Sequence, residues 1–237
     1  LRVGGMSFQV YLAGRFGAAG VGLIQLILSV KLFSFTLGSA GARTCALYLS
    51  AEALGRRRSL RPALRGCGWY CLLFSLPTAA GLWVLTPRIA GGWIGDAAGE
   101  AALRAFALFL PVTCLNGVMT GLYTAAGRLR TLVAVEFLEQ GCAMGATFAL
   151  LARQGAGESA GACLSVALGS SLAAALSLGV LWALRREGPP LGREDRTPWR
   201  RVFALALPVG LADDLRAGVN TVAPLIIPRR LALYAGP

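Results

Sequence analysis

Long apolar stretches recur along the whole chain, separated by short polar or arginine-rich connections. A helix needs about 20 predominantly apolar residues to cross a bilayer. That criterion predicts spans near 20–41, 66–87, 102–125, 131–152, 160–184 and 202–222. Residues 1–14 read as the end of an earlier span, too short to cross alone. GSAG (38–41) is a breaker inside the first long run. GCAMGATFA (141–149) and SVALGSSLAAAL (165–176) are rich in small residues, which let helices in lipid approach closely. The predicted fold class is an all-α polytopic membrane protein with about six to seven transmembrane helices. Proline, glycine and mixed charge make 185–201 the convincing linker. It divides an N-terminal transmembrane lobe, 1–184, from 202–237, read as the first helix of a second lobe. The chain begins with Leu1 and stops at LYAGP just past an apolar run, so it reads as a fragment of a longer two-lobe protein.

Composition agrees with a lipid environment. Hydrophobic residues make up 56% of the chain, charged residues only 14%, and the mean hydropathy is +0.63. Soluble domains carry about 25% charged residues, so this chain lacks the charge to cover a globular surface. One signal peptide does not account for apolar runs that recur along the entire length. The net charge of +12 comes almost wholly from arginine, Lys31 being the sole lysine. Nucleic-acid binding would gather that charge on one face, whereas here it falls between apolar runs. GRRRSLRPALR (55–65) carries five arginines, GRLR (127–130) two and 185–201 six, while 91–101 carries none and 152–161 only Arg153. This alternation follows the positive-inside rule. It places the arginine-rich connections in the cytoplasm and the chain as a multi-pass protein of the cytoplasmic (plasma) membrane.

The absence of histidine removes histidine-based triads, dyads, metal sites and proton relays. The six cysteines lie mostly in apolar runs and form no CxxC pair, so they read as small, buried, inert thiols, with no metal site or cofactor expected. Ionisable groups within membrane depth are Lys31, Arg43, Glu136, Glu139, Asp213, Asp214 and Arg216. Lipid penalises a charge at the centre of a helix by roughly 2.5–3.5 kcal/mol, so such groups normally face a bundle interior or a water-filled cavity. Glu136 and Glu139 are i,i+3 and share a helical face. Asp213, Arg216 and Asn220 share another, with Asp214 pointing elsewhere. Pro208 and Gly210 loosen the start of that last helix, as in the broken helices of transporters. The bland alternatives are an Asp213–Arg216 ion pair and a headgroup position for Glu136. Asp213–Asp214 matches the start of a magnesium-diphosphate motif, but Ala217 stands where its third aspartate would be. No phosphate loop, nucleotide fingerprint or nucleophile elbow occurs, so the chain is not expected to be an enzyme.

GRFGAAGVGLIQLILSV (14–30) and GSAGARTCALYLSAEALGRR (38–57) resemble the start of the stage V sporulation protein B family of polysaccharide exporters. That family belongs to the MOP superfamily, with the lipid II flippases and the multidrug (MATE) exporters. Gly17, Gly20 and Gly22 fit its glycine-rich turn after the first helix, and Gly41, Ala51 and Glu52 its second-helix signature. Glu139–Gln140 fit the pair of its fifth helix, and Leu207–Pro208, Arg216 and IIPRRL (226–231) its seventh helix and the turn beyond. The chain departs from the superfamily's patterns at Phe8, Arg43 and Ala143. The resemblance implies a MATE-like lobe of a two-lobe transporter of about 12–14 helices, working by alternating access.

It also implies a lipid-linked saccharide as substrate, its diphosphate headgroup crossing through the cavity while its tail stays in the bilayer. Arg216, Arg43, Lys31 and Asn220 are then the candidate substrate-binding residues, arginine being able to grip two oxygens at once. Glu139, Glu136, Asp213 and Asp214 are the candidates for charge pairing or for coupling to H⁺ or Na⁺. The alternatives are a multidrug or organic-cation antiporter of the same fold, and a non-transporting membrane scaffold in cell-envelope or spore-coat synthesis.

Overall fold

The computed structural model describes residues 2–56, 59–94, 99–154, 159–185 and 199–234, which are helical almost throughout, with no strand among them. The helices are α1 (Arg2–Ser39), α2 (Ala42–Gly55), α3 (Arg61–Arg88), α4 (Gly99–Ala125), α5 (Leu129–Gln154), α6 (Ser159–Ala183) and α7 (Trp199–Tyr234). A π-helical turn, Ile89–Ile94, extends α3. The central part of the predicted linker, 186–198, lies outside the described residues.

Among the described residues, four stretches are long and apolar enough to cross a membrane: Gly20–Ser39, Arg61–Gly91, Gly99–Ala125 and Gly161–Ala183. Helices α5 and α7 also form over the predicted spans 131–152 and 202–222, and these two carry the clustered ionisable residues. Large apolar side chains point outward along the bundle, Val84 at 71% exposure and Leu108 at 67% among them. Water would penalise such a surface and lipid does not. Hydroxyls inside the helices turn back on their own backbone, as Thr113 Oγ1 donates to Phe109 O and Thr120 Oγ1 to Asn116 O, both at 3.0 Å.

Chain direction follows from the packing. Helix α4 runs parallel to α1 and α2: Ile24 and Ile27 pack with Leu103 and Phe106, Gly38 lies by Cys114, and Arg43 backs onto Gly121. The small-residue stretches of α5 and α6 pack as predicted. A Cβ on Gly169 would sit 2.5 Å from Thr147 Oγ1, so only glycine permits this approach. Five cysteines are buried and Cys142 is half-buried, all of them as free thiols.

The break between α1 and α2 falls on the predicted GSAG. Ala40 and Gly41 take positive φ, 41° and 74°, and the Ala40 carbonyl accepts a 3.1 Å hydrogen bond from Tyr70 Oη. Helix α7 crosses here backbone to backbone, since a Cβ on Gly210 would lie 2.5 Å from Ala40 C. Phe203 holds the crossing from α7, edge-on to Tyr70 at 5.0 Å between ring centroids. Arginines at the end of α2, at the starts of α3, α5 and α7 and just past α6 lie at one end of the bundle, while Arg88 and Arg104 lie toward the other. At the first end Glu52 of α2 accepts from Arg201 of α7 at 2.6 and 2.8 Å and pairs with Arg56 at 3.0 Å. Tyr123 Oη near the end of α4 donates to Leu181 O near the end of α6 at 2.8 Å.

Candidate functional site

A cavity of about 320 Å³ lies among α1, α4, α5 and α6. Its walls mix apolar side chains with Gln25, Lys31, Thr113, Glu139, Gln140 and Ser170. Three of the contributing helices hold membrane-spanning stretches, so these polar groups sit at membrane depth. Lys31 is the twelfth residue of Gly20–Ser39. Leu32 points outward on the same turn, so Lys31 takes the inner face while its neighbour meets lipid.

The Lys31 ammonium donates to Ser170 Oγ at 3.1 Å and stands 4.5 Å above the centre of the Phe106 ring. Ser170 Oγ in turn donates to Ala167 O at 3.2 Å. A cation over an aromatic face gains roughly 0.5–2 kcal/mol, which offsets part of the cost of holding Lys31 away from water. Glu139 Oε2 accepts from Asn116 Nδ2 at 3.2 Å. Asn116 also donates to Ser177 Oγ at 3.3 Å, and Ser177 Oγ lies 3.4 Å from Asn116 Oδ1. Glu139 and Lys31 both line the cavity, yet no ion pair joins them. One cation and one anion therefore line the same small polar volume, each held by neutral partners. In a medium of low effective dielectric their fields reach across it with little screening.

The structure brings together two of the predicted ionisable residues, Lys31 and Glu139, together with Gln140. Glu136, one turn before Glu139, is half-buried and does not line the cavity. Arg43 is exposed at the start of α2, apart from it. Asp213 and Arg216 are exposed on α7 and do not pair with each other. Asp214 shares the α7 face of Gly210 and Ala217 that packs inward, and its Oδ1 is sealed with no hydrogen-bond partner. Asn220 lies outside the residues whose side chains are described.

Asn116, Ser170 and Ser177 are not among the residues expected from the sequence, which apart from Asn220 are all ionisable. A signal for Asn116 was present: it is the sole asparagine in the apolar run 102–125, where an amide without a partner costs several kcal/mol on hydrocarbon scales (about 4–8). The serines carried no such signal, because serine also packs helices in lipid.

The chain matches no family model and no curated protein. Fold and site together define a helical membrane protein that carries a polar cavity at membrane depth.

Proposed function

We propose that this chain belongs to a transporter of the cytoplasmic membrane that translocates a lipid-linked oligosaccharide or polysaccharide precursor by alternating access. The observation that carries the reading is the Lys31–Glu139 cavity, whose charges are held apart by neutral partners at membrane depth. A structural ion pair would close on itself. Two separated charges leave the cation for an anionic headgroup and the carboxylate for a counter-ion or proton.

Diphosphate suits this wall. Lys31 is the one cation lining the cavity among the described residues, and Gln25, Gln140, Thr113 and Ser170 add neutral donors. The arginine-rich end of the bundle faces the cytoplasm in this reading, and the many packed small residues supply surfaces over which helices slide. The cavity holds no histidine, cysteine pair or carboxylate pair of the kind that enzymes use, and the reading assigns it no covalent chemistry.

Native mass spectrometry of the chain in detergent, titrated with a lipid diphosphate saccharide against a neutral diacylglycerol, tests the proposal. Wild type is expected to retain the diphosphate lipid selectively and Lys31→Gln to bind it about tenfold more weakly, the loss of one charge-assisted contact. Equal retention by the two proteins, or no selectivity over the neutral lipid, contradicts it. The Phe106 ring beside Glu139's cavity favours a second reading, an organic-cation antiporter, because an aromatic face and a carboxylate together hold cations. Under that reading Lys31→Gln removes a competing ammonium and strengthens cation binding.

A further inference from the structure

A second cavity, a groove of about 470 Å³, lies between α3, α4 and α6 at the arginine-bearing end of the bundle. It shares no residue with the Lys31 cavity. Its chemistry is graded along its length. On α3 the lining runs Arg61, Arg65, Trp69, Leu72, a single stripe at helical spacing. On α6 and just past its end the antiparallel stripe runs Leu178, Trp182, Arg185. Opposite chain directions thus bring three guanidinium groups to the same end. Leu115, Val118 and Met119 of α4 form the apolar floor between the two helices.

The dimensions fit one membrane leaflet. Arg61 to Leu72 is eleven helical steps, about 16 Å at a rise of 1.5 Å each, or roughly half of the ~30 Å hydrocarbon core. Trp69 and Trp182 sit between the charged end and the apolar stripe, 63% and 55% exposed. Tryptophan favours that level, where hydrocarbon meets headgroups. The Arg185 guanidinium lies 4.3 Å from the centre of the Trp182 ring, a cation–aromatic contact at the rim.

We propose that this groove binds one anionic phospholipid, its phosphate on Arg61, Arg65 and Arg185 and an acyl chain along Leu72, Met119 and Leu178. Charge complementarity decides the occupant. A zwitterionic lipid gains less from three cations, and a soluble anion does not use an apolar stripe that lies on two membrane-spanning helices. Basic pockets between transmembrane helices at the cytoplasmic side hold anionic headgroups for the same reason. The site is independent of the transport proposal, since it uses other residues and another lipid.

The test is native mass spectrometry of the full chain in detergent, titrated with phosphatidylglycerol and, separately, phosphatidylcholine. Wild type is expected to retain phosphatidylglycerol preferentially. Arg65→Gln is expected to weaken that retention about fivefold, and the triple variant Arg61→Gln, Arg65→Gln, Arg185→Gln further still. Leu72→Trp, which fills the groove without removing charge, is expected to lower retention as well. Arg128→Gln changes an exposed arginine at the same end of the bundle outside the groove and should bind as wild type. Helical circular dichroism and a monodisperse elution profile qualify each variant, and Arg65→Gln, whose residue is exposed, carries the charge test if the triple variant does not fold. Undiminished phosphatidylglycerol retention by Arg65→Gln or by Leu72→Trp overturns the proposal. So does an equal loss in Arg128→Gln, or equal retention of the two lipids by wild type.

Discussion

Asn116 shows how one neutral side chain organises charges in a membrane bundle. It is 9% exposed and holds Glu139 from one helix and Ser177 from another. An amide can serve both because it carries two donors and an acceptor. Asn116→Ala leaves a carboxylate oxygen and a hydroxyl without these partners. The expected loss of stability is about 1–2 kcal/mol, within the range for hydrogen bonds inside membrane bundles and to charged groups. Denaturant unfolding in mixed micelles measures it, and an unchanged midpoint would contradict this role. The same residue explains the limit of the sequence reading. Lys31 and Glu139 were legible singly, since charge in an apolar run stands out. Their meeting was not, because more than a hundred residues separate them and only the packing of α1 against α6, and of α6 against α5, brings them to one cavity. For Arg43 and Arg216 the same chemical signal led to exposed positions.

At the scale of elements, the crossing of α7 over the α1–α2 break is the most constrained contact. Gly41 needs its positive φ, and Gly210 lies against the Ala40 peptide. Gly210→Ala would place a methyl group 2.5 Å from the Ala40 carbonyl carbon and force two backbones apart. The expected cost is about 1–3 kcal/mol, as for other overpacked sites. Gly218→Ala on the same helix meets only Phe33 at 3.8 Å and should be tolerated, so thermal unfolding of the pair separates close approach from helix propensity. Similar losses in both variants would contradict the contact. Hydropathy located this region well: GSAG marked the break, and apolar runs marked α3, α4 and α6. Hydropathy places helix starts late: α3 begins at Arg61 rather than 66 and α7 at Trp199 rather than 202. Hydropathy reports where lipid is, whereas backbone hydrogen bonds continue into the arginine-bearing turns. Hydropathy does not announce α2, whose mixed sequence ARTCALYLSAEALG carries no long apolar run; only the family resemblance marks Gly41, Ala51 and Glu52 as part of a helix.

For the whole molecule, three features combine: an outward apolar surface, a cluster of arginines at one end, and a small polar cavity with separated charges. The first two suit a helical membrane protein, and the third carries the transport proposal. The four most buried thiols, Cys45, Cys67, Cys71 and Cys114, are at most 1% exposed and are expected to resist a charged thiol reagent while the protein is folded. That silence makes an introduced cysteine readable. The most direct measurement is therefore labelling of Ser170→Cys, in a Cys142→Ala, Cys163→Ala background, by a membrane-impermeant thiol reagent in vesicles. The account predicts that Cys at 170 reacts from one side of the membrane and is protected by a lipid diphosphate saccharide. No reaction in the folded protein, or reaction that the saccharide lipid leaves unchanged, would contradict the claim that this cavity is the substrate's path.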